Sequence, residues 1–287
     1  MASGALVLAG GGSVGIAWEL GYLAGLKTGN ADALAKIREP DTTYVGTSAG
    51  SVVAAMLASG APLEQLLQPE LEAETTASAS AGRSFWSIAK IAAVMASSRI
   101  GTRSPEAARR RIGAFATAAR TGSEDAWVAS IARRLPQSEW PDRRLLITAV
   151  DVASGEFRVF DKESGVDLAA AVAASCSVPG VFPPVSIEGR RYMDGGMRSV
   201  ANADLAAGCD PVLILVPMRE GGPGIGSVSR DELDTLKHTR SHVAYADTES
   251  VRAFGRNPLN TTTRAASARA GYRQGQLAGP VVQGLWS

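Results

Sequence analysis

The chain has 287 residues, 45% of them hydrophobic, with 29 Lys+Arg set against 28 Asp+Glu. That is enough apolar material for a substantial core, and the near-zero net charge gives no electrostatic reason for a nucleic-acid partner. Cys176 and Cys209, the only two cysteines, show neither CxxC nor metal-ligand spacing and read as free thiols of a reducing compartment.

In chain order, the start "MASGALVLAG" has no basic region ahead of its short apolar run. No stretch reaches the roughly 18 apolar residues that span a bilayer, so a soluble, cytoplasmic protein is expected. "ALVLAG" (5–10) reads as a buried parallel strand ending in glycines. After it, Ile16, Leu20, Leu23 and Leu26 recur at helical spacing until Gly29-Asn30 stops them. "TTYVG" (42–46) reads as a second strand and "SVVAAMLAS" (51–59) as a buried helix. This β-α-β-α opening predicts a parallel sheet with helices on both faces.

From about 63 to 135 the composition shifts to Ala, Ser, Arg and Glu without a convincing strand, which predicts a helical insertion. Within it Phe85, Ile88, Ala92 and Met95, with Ile91 beside them, form one helical stripe. Such a stripe packs on a core or serves as a lid touching lipid. "RRLLITAVDVASGEFRVFD" (143–161) alternates like a hairpin about Ser154-Gly155. "DLAAAVAASCSV" is a helix closed before Pro179, "VSIEGRRYMDGG" a strand pair turning at Glu188-Gly189, and "PVLILVP" (211–217) a buried strand. "GGPGIG" (221–226) is a flexible loop, and 220–287 is mostly helical with breaks at Pro258 and Gly279-Pro280. One domain, 1–287, is the economical reading.

Two glycine motifs carry the chemistry. Gly46-x-Ser48-x-Gly50 suits a strand-to-helix elbow that lifts the Ser48 hydroxyl clear of a sheet. Gly10-x-Gly12-x-x-Gly15 lies between a strand and a helix and matches the dinucleotide fingerprint. That fold wants a carboxylate at the end of the second strand, where this chain has Gly46-Thr47-Ser48, and Asp41 precedes the strand. Alternatively, the N–H groups of the glycine loop and the next helix N-terminus form an oxyanion hole. Adjacent first and second strands would then bring Gly11 and Gly12 beside Ser48, with the Ala49 N–H as a further donor.

A nucleophilic serine needs a base. His238 and His242, the only histidines, sit in the polar "LKHTRSH"; the order Ser48, Asp194, His238 matches that of α/β-hydrolase triads. Asp194 in "RYMDGGM" can instead act directly if burial raises its pKa, although Asp-Gly is also ordinary turn chemistry.

Taken together, "GGGSVG" (10–15), "GTSAG" (46–50) and "DGG" (194–196), with "ASCSVPGVFPPV" (174–185) upstream of the aspartate, resemble the patatin-like phospholipases, lipid acyl hydrolases with a Ser-Asp dyad. The resemblance implies a three-layer α/β/α sandwich around a mainly parallel sheet, Ser48 as nucleophile, Asp194 as base and Gly10, Gly11 and Gly12 as the oxyanion loop. It implies a lipid ester as substrate, peripheral contact with a membrane or lipid droplet, and no metal or organic cofactor. The family's glycine loop usually carries Arg or Lys before its last glycine; Val14 stands there in this chain, which leaves room for neutral lipids as well as phospholipids. A dinucleotide-binding protein and a catalytically silent lipid-binding protein are the rival readings.

Overall fold

Strand β1 (Ala5–Leu8) is buried along its whole length in the middle of an eight-stranded sheet. The computed structural model describes residues 3–72, 100–102, 104–221 and 227–287. The stripe from Phe85 to Met95 and the loop 222–226 lie outside the described residues. The opening follows the sequence pattern: β1 leads into α1 (Gly12–Gly29), then α2 (Ala31–Ile37), β2 (Thr43–Gly46) and α3 (Ala49–Ala58). Asn30 ends α1 and caps the next helix, its side chain accepting the Ala33 N–H at 3.0 Å.

Between 63 and 135 the described elements are helices: α4 (Leu63–Leu71), α5 (Pro105–Ala118) and α6 (Glu124–Ala132). Ser104 and Ser123 cap the last two. The chain then returns to the sheet through β3 (Leu145–Asp151) and β4 (Phe157–Phe160). Helix α7 (Leu168–Ser175) precedes β5 (Val185–Ile187) and β6 (Arg190–Asp194). The β5–β6 turn places Glu188 and Gly189 at φ 51° and 77°, the paired positive values of the hairpin turn whose twist suits the flanking strands. The remainder is β7 (Val212–Val216), α8 (Arg230–Thr235), β8 (Ser241–Tyr245), α9 (Thr248–Phe254) and α10 (Arg264–Leu285).

The sheet runs β5-β6-β3-β2-β1-β7-β8, with β4 paired to β3; β2, β1, β7 and β8 are parallel. Side chains alternate as strand geometry requires. Leu6, Leu8, Leu213 and Leu215 face one helical layer containing α1, α3 and α7, whereas Ala5, Val7, Val212 and Ile214 face Val200, Ala206, Val228 and Leu236. The result is the expected three-layer α/β/α architecture.

Two expectations about the C-terminal segment fail. The segment containing His242 is not helical: Ser241–Tyr245 forms β8, parallel to β7. A strand at the sheet's edge keeps a wet side, so it is more polar than a buried strand and carries a weaker strand signal. Gly279-Pro280 does not break the last helix, which runs on to Leu285. The lost N–H at Pro280 leaves the Gln276 carbonyl, and that carbonyl lies against the Gly29 backbone of α1.

That contact belongs to a longer seam. On α1, Gly21, Gly25 and Gly29 recur every four residues, and on α10 Gly271, Gly275 and Gly279 do the same. A Cβ placed on Gly21 or Gly29 would stand 2.1 or 2.3 Å from the Ala268 or Gln276 carbonyl oxygen, and one on Gly271 would stand 2.2 Å from the Trp18 oxygen. The helices therefore approach backbone to backbone. We expect Gly21→Ala to destabilise the protein by about 1–3 kcal/mol or more. Gly284→Ala on α10, where a Cβ meets nothing within 4 Å, should instead be neutral or stabilise by about 0.5–1 kcal/mol. Thermal unfolding of the two variants checks the contrast.

Candidate active site

Strand register decides where the site lies. Ile147 of β3 faces Gly46 of β2 on one edge and Phe160 of β4 on the other. Two residues further on, Ala149 faces Arg158 of β4 and Asp194 of β6. A strand has two hydrogen-bonding edges, so β2 and β6 must share one. The strand β2 runs parallel to β3 and stops, while β6 runs antiparallel and comes down to meet it. The last residues of both strands, Gly46 and Asp194, thus sit about 7 Å apart along β3. Ser48 follows the first and Asp194 ends the second.

Thr148 lies between these two positions and is fully buried. Its hydroxyl donates to Thr47 Oγ1 at 2.9 Å. Asn202, also fully buried and held at φ 53°, donates from Nδ2 to Thr47 Oγ1 at 3.0 Å and to the Ser199 carbonyl at 2.8 Å. Its Oδ1 accepts from Arg198 at 2.8 Å, and Arg198 pairs with Asp204. A Cβ on Gly195 would fall 2.2 Å from Thr148 Oγ1, so that glycine lets the chain leave β6 directly over the threonine. This polar cluster ties both strand ends to one floor.

Ser48 sits at the N-terminus of α3 with φ 53° and ψ −121°, a conformation that costs a non-glycine residue about 1–3 kcal/mol. The neighbours hold it there from both sides. Its N–H donates to Ser175 Oγ at 2.9 Å, and its carbonyl accepts from Ser51 Oγ at 2.6 Å and Cys176 Sγ at 3.1 Å. Burial pushes the Cys176 thiol up to about 12, with the Asp194 charge adding to the shift, so it stays a protonated donor. A Cβ on Gly50 would lie 2.0 Å from the Leu8 carbonyl oxygen, which explains the second glycine of the elbow.

Asp194 is 2% exposed. Its backbone N–H donates to the Ser177 carbonyl at 3.0 Å, and its Oδ1 accepts the Gly196 N–H at 2.7 Å. The Ser48 hydroxyl lies near enough to the same carboxyl group to pull its pKa downward. Desolvation pushes Asp194 up to about 7, against the smaller opposing pulls of the Ser48 hydroxyl and the Gly196 N–H. The segment 175–177 touches both partners, since Ser175 holds the Ser48 N–H and Ser177 the Asp194 N–H.

The glycine loop completes the wall. A Cβ built on Gly10 would lie 3.3 Å from the Ser48 Cβ. The Gly10 N–H is already donated to the Val200 carbonyl at 2.9 Å, and the Val14 N–H to the Pro258 carbonyl at 3.1 Å. Gly12 opens α1 at φ 63°. The N-termini of α1 and α3, the positive ends of their dipoles, both border the same cavity. That cavity, about 430 Å³, also contains Asp194 in its lining and is otherwise mostly apolar, with Ile16, Val52, Val178 and Met197 among its walls. Trp127 and Phe182, also in its lining, stack with centroids 3.8 Å apart.

Neither His238 nor His242 lines this cavity. His242 lies on β8 opposite Leu213 of β7, separated from β2 by β7 and β1. No group of three or more His, Cys, Asp or Glu side chains suited to a metal ion occurs among the described residues. No helix among them is long and apolar enough to cross a membrane.

Residues 6–207 match the family described as patatin-like phospholipase, and the chain belongs to that family. No curated protein matches it. Among solved structures it is similar to VipD from Legionella pneumophila, at 15% identity and TM-score 0.38, over 88% of this chain and 53% of that one. It is also similar to the type III effector protein ExoU, at 19% identity and TM-score 0.43, over 99% of this chain and 53% of that one. Full-length ExoU in complex with SpcU from the type III secretion system of Pseudomonas aeruginosa matches at 18% identity and TM-score 0.40, over 97% and 52%. The chain thus spans about half the length of these relatives.

Sequence reasoning missed Ser175, Ser177, Thr148 and Asn202 as supports of the site. The first two lie inside the family-like "ASCSVPGVFPPV", a clue to importance without a role. Nothing local marks Thr148 or Asn202, because their partners are remote in sequence.

Burial of Asp194 has a measurable sign. Folding raises its pKa from the ordinary value near 4 to about 7, so the folded state holds this proton more tightly. Its contribution to stability is full below pH 4 and is lost as the pH rises to about 7. We expect wild type to lose melting temperature relative to Asp194→Asn across that interval and to hold a constant difference above it. A difference that does not change with pH would show that the carboxyl group is ionised throughout.

Proposed function

We propose that the chain is a serine acyl hydrolase of lipid carboxylic esters, working through Ser48 and Asp194. The observation that supports this most is the Ser48 hydroxyl beside a buried carboxyl group in the lining of one mostly apolar cavity. In this reading Ser48 Oγ attacks the ester carbonyl carbon while Asp194 takes its proton. Negative charge gathers on the carbonyl oxygen, and this reading assigns the N–H groups of Gly11 and Gly12, with that of Ala49, to receive it. Gly10 contributes close approach to Ser48 rather than a hydrogen bond, because its N–H is already given to Val200. The leaving alcohol takes the proton from Asp194 and departs. Water then attacks the acyl-enzyme, again giving its proton to Asp194, and the fatty acid leaves with Ser48 restored.

A carboxylate of ordinary pKa is too weak a base for a serine hydroxyl, and desolvation is what brings Asp194 toward the working range. The apolar lining suits an acyl chain, and the ester would come from a membrane or lipid-droplet surface contacted peripherally. The role needs neither a metal nor an organic cofactor.

A fluorophosphonate probe should label wild type, and Ser48→Ala should abolish labelling; retained labelling would move the nucleophile elsewhere. Asp194→Asn should lower turnover of acyl esters by several orders of magnitude while circular dichroism shows the fold intact. Since the base works unprotonated, wild-type kcat/KM should rise with pH and level off above about 7. A flat profile from pH 5 to 8 would remove Asp194 from that role.

A further inference from the structure

Among the described residues, one cationic side chain lines the cavity that holds Ser48 and Asp194: Arg134, just beyond α6. The mechanism above does not use it, and an acyl chain has no need of a guanidinium. Arg134 Nη2 donates to Glu70 Oε1 at 2.9 Å, and Arg264 Nε donates to Glu70 Oε2 at 2.5 Å. Glu70 is 2% exposed, whereas the Arg134 side chain is 30% exposed. Two guanidinium groups therefore share one buried carboxylate, and the cluster carries one positive charge more than it neutralises. Arg134 is also close enough to Cys176, whose thiol is bonded to the Ser48 carbonyl, to act on it electrostatically.

From this we infer that Arg134 binds the phosphate of a phospholipid whose ester lies at Ser48, an inference that rests on the acyl hydrolase reading for its substrate. A guanidinium offers five N–H donors in a fixed plane, and the bond to Glu70 occupies one edge of it. The tie to a buried, doubly held carboxylate fixes the group in advance, which lowers the ordering cost of taking an anion. Guanidinium and phosphate match as forked donor and acceptor. The fatty acid product is a poor candidate for this place, because its carboxylate forms at Ser48. An anion at Arg134 must be a second group on the same molecule, and a glycerophospholipid carries its phosphate beside its esters. Arg134 would thus select phospholipids over neutral glycerides.

Binding and turnover separate this inference from the reading beneath it. In Ser48→Ala protein, calorimetry with decyl phosphate should show binding that Arg134→Gln weakens about 10- to 100-fold, with a much smaller effect on decanol. Arg134→Lys, which keeps the charge and a partner for Glu70, should retain more of the affinity than the glutamine variant. In the active enzyme, Arg134→Gln should lower kcat/KM for a phospholipid at least about tenfold more than for a diacylglycerol of the same chains. Equal losses for phosphate-bearing and neutral ligands, or none, would overturn the phosphate site. Inorganic phosphate binding as tightly as decyl phosphate would overturn its lipid source. If decyl phosphate binds through Arg134 but wild type cleaves no ester, the hydrolase reading falls and the phosphate site stands.

Discussion

One edge of β3 is shared by two strands that meet end to end, and the site depends on that arrangement. In a wholly parallel sheet every strand finishes at the same end, so two strand tips cannot meet head-on along one edge of a third strand. Reversing β6 lets it descend the edge that β2 has climbed. Backbone pairing then fixes the spacing between Ser48 and Asp194 before any side chain takes part. Ladder hydrogen bonds define that spacing more sharply than two loops could, because register is quantised in whole residues.

What the register brings together is unfavourable for folding on its own. Ser48 holds a positive φ, and Asp194 is withdrawn from water. Thr47, Thr148 and Asn202 are buried polar groups that would each be costly if left unpaired. The structure satisfies all of them among themselves and through the segment 175–177. A buried polar cluster of this kind rigidifies when complete and becomes a liability when one member is lost. The apolar layers on either side of the sheet and the seam between α1 and α10 supply the stability that offsets it.

Much of the fold was legible because it is written locally. The buried strand 5–8, the helix ending at Gly29-Asn30, the elbow around Ser48 and the turn at Glu188-Gly189 all announce themselves through runs, periodicity or glycine. The edge strand β8 was hidden because its solvent-facing side dilutes the alternation that marks a strand. Pro280 misled because tertiary packing against α1 outweighs the loss of one helical hydrogen bond. The glycine repeats on α1 and α10 were visible as letters, but each is meaningful only opposite the other. At the site, the three motifs named the serine, the carboxylate and the loop. That the Gly10 N–H belongs to Val200, or that Arg134 faces the same cavity as Ser48, depends on pairings between residues far apart in sequence.

The family match stops at residue 207, yet the chain beyond it reaches the cavity. Pro258 accepts the Val14 N–H, and Pro258, Leu259 and Met218 form part of the wall. The elements that hold Ser48 and Asp194 all lie before 208, anchored by the sheet. The later stretch thus supplies only part of the wall, and Ser48 and Asp194 with the rest of it come from the earlier one. Substitution in the later stretch can therefore reshape one part of the cavity wall while Ser48 and Asp194 keep their frame.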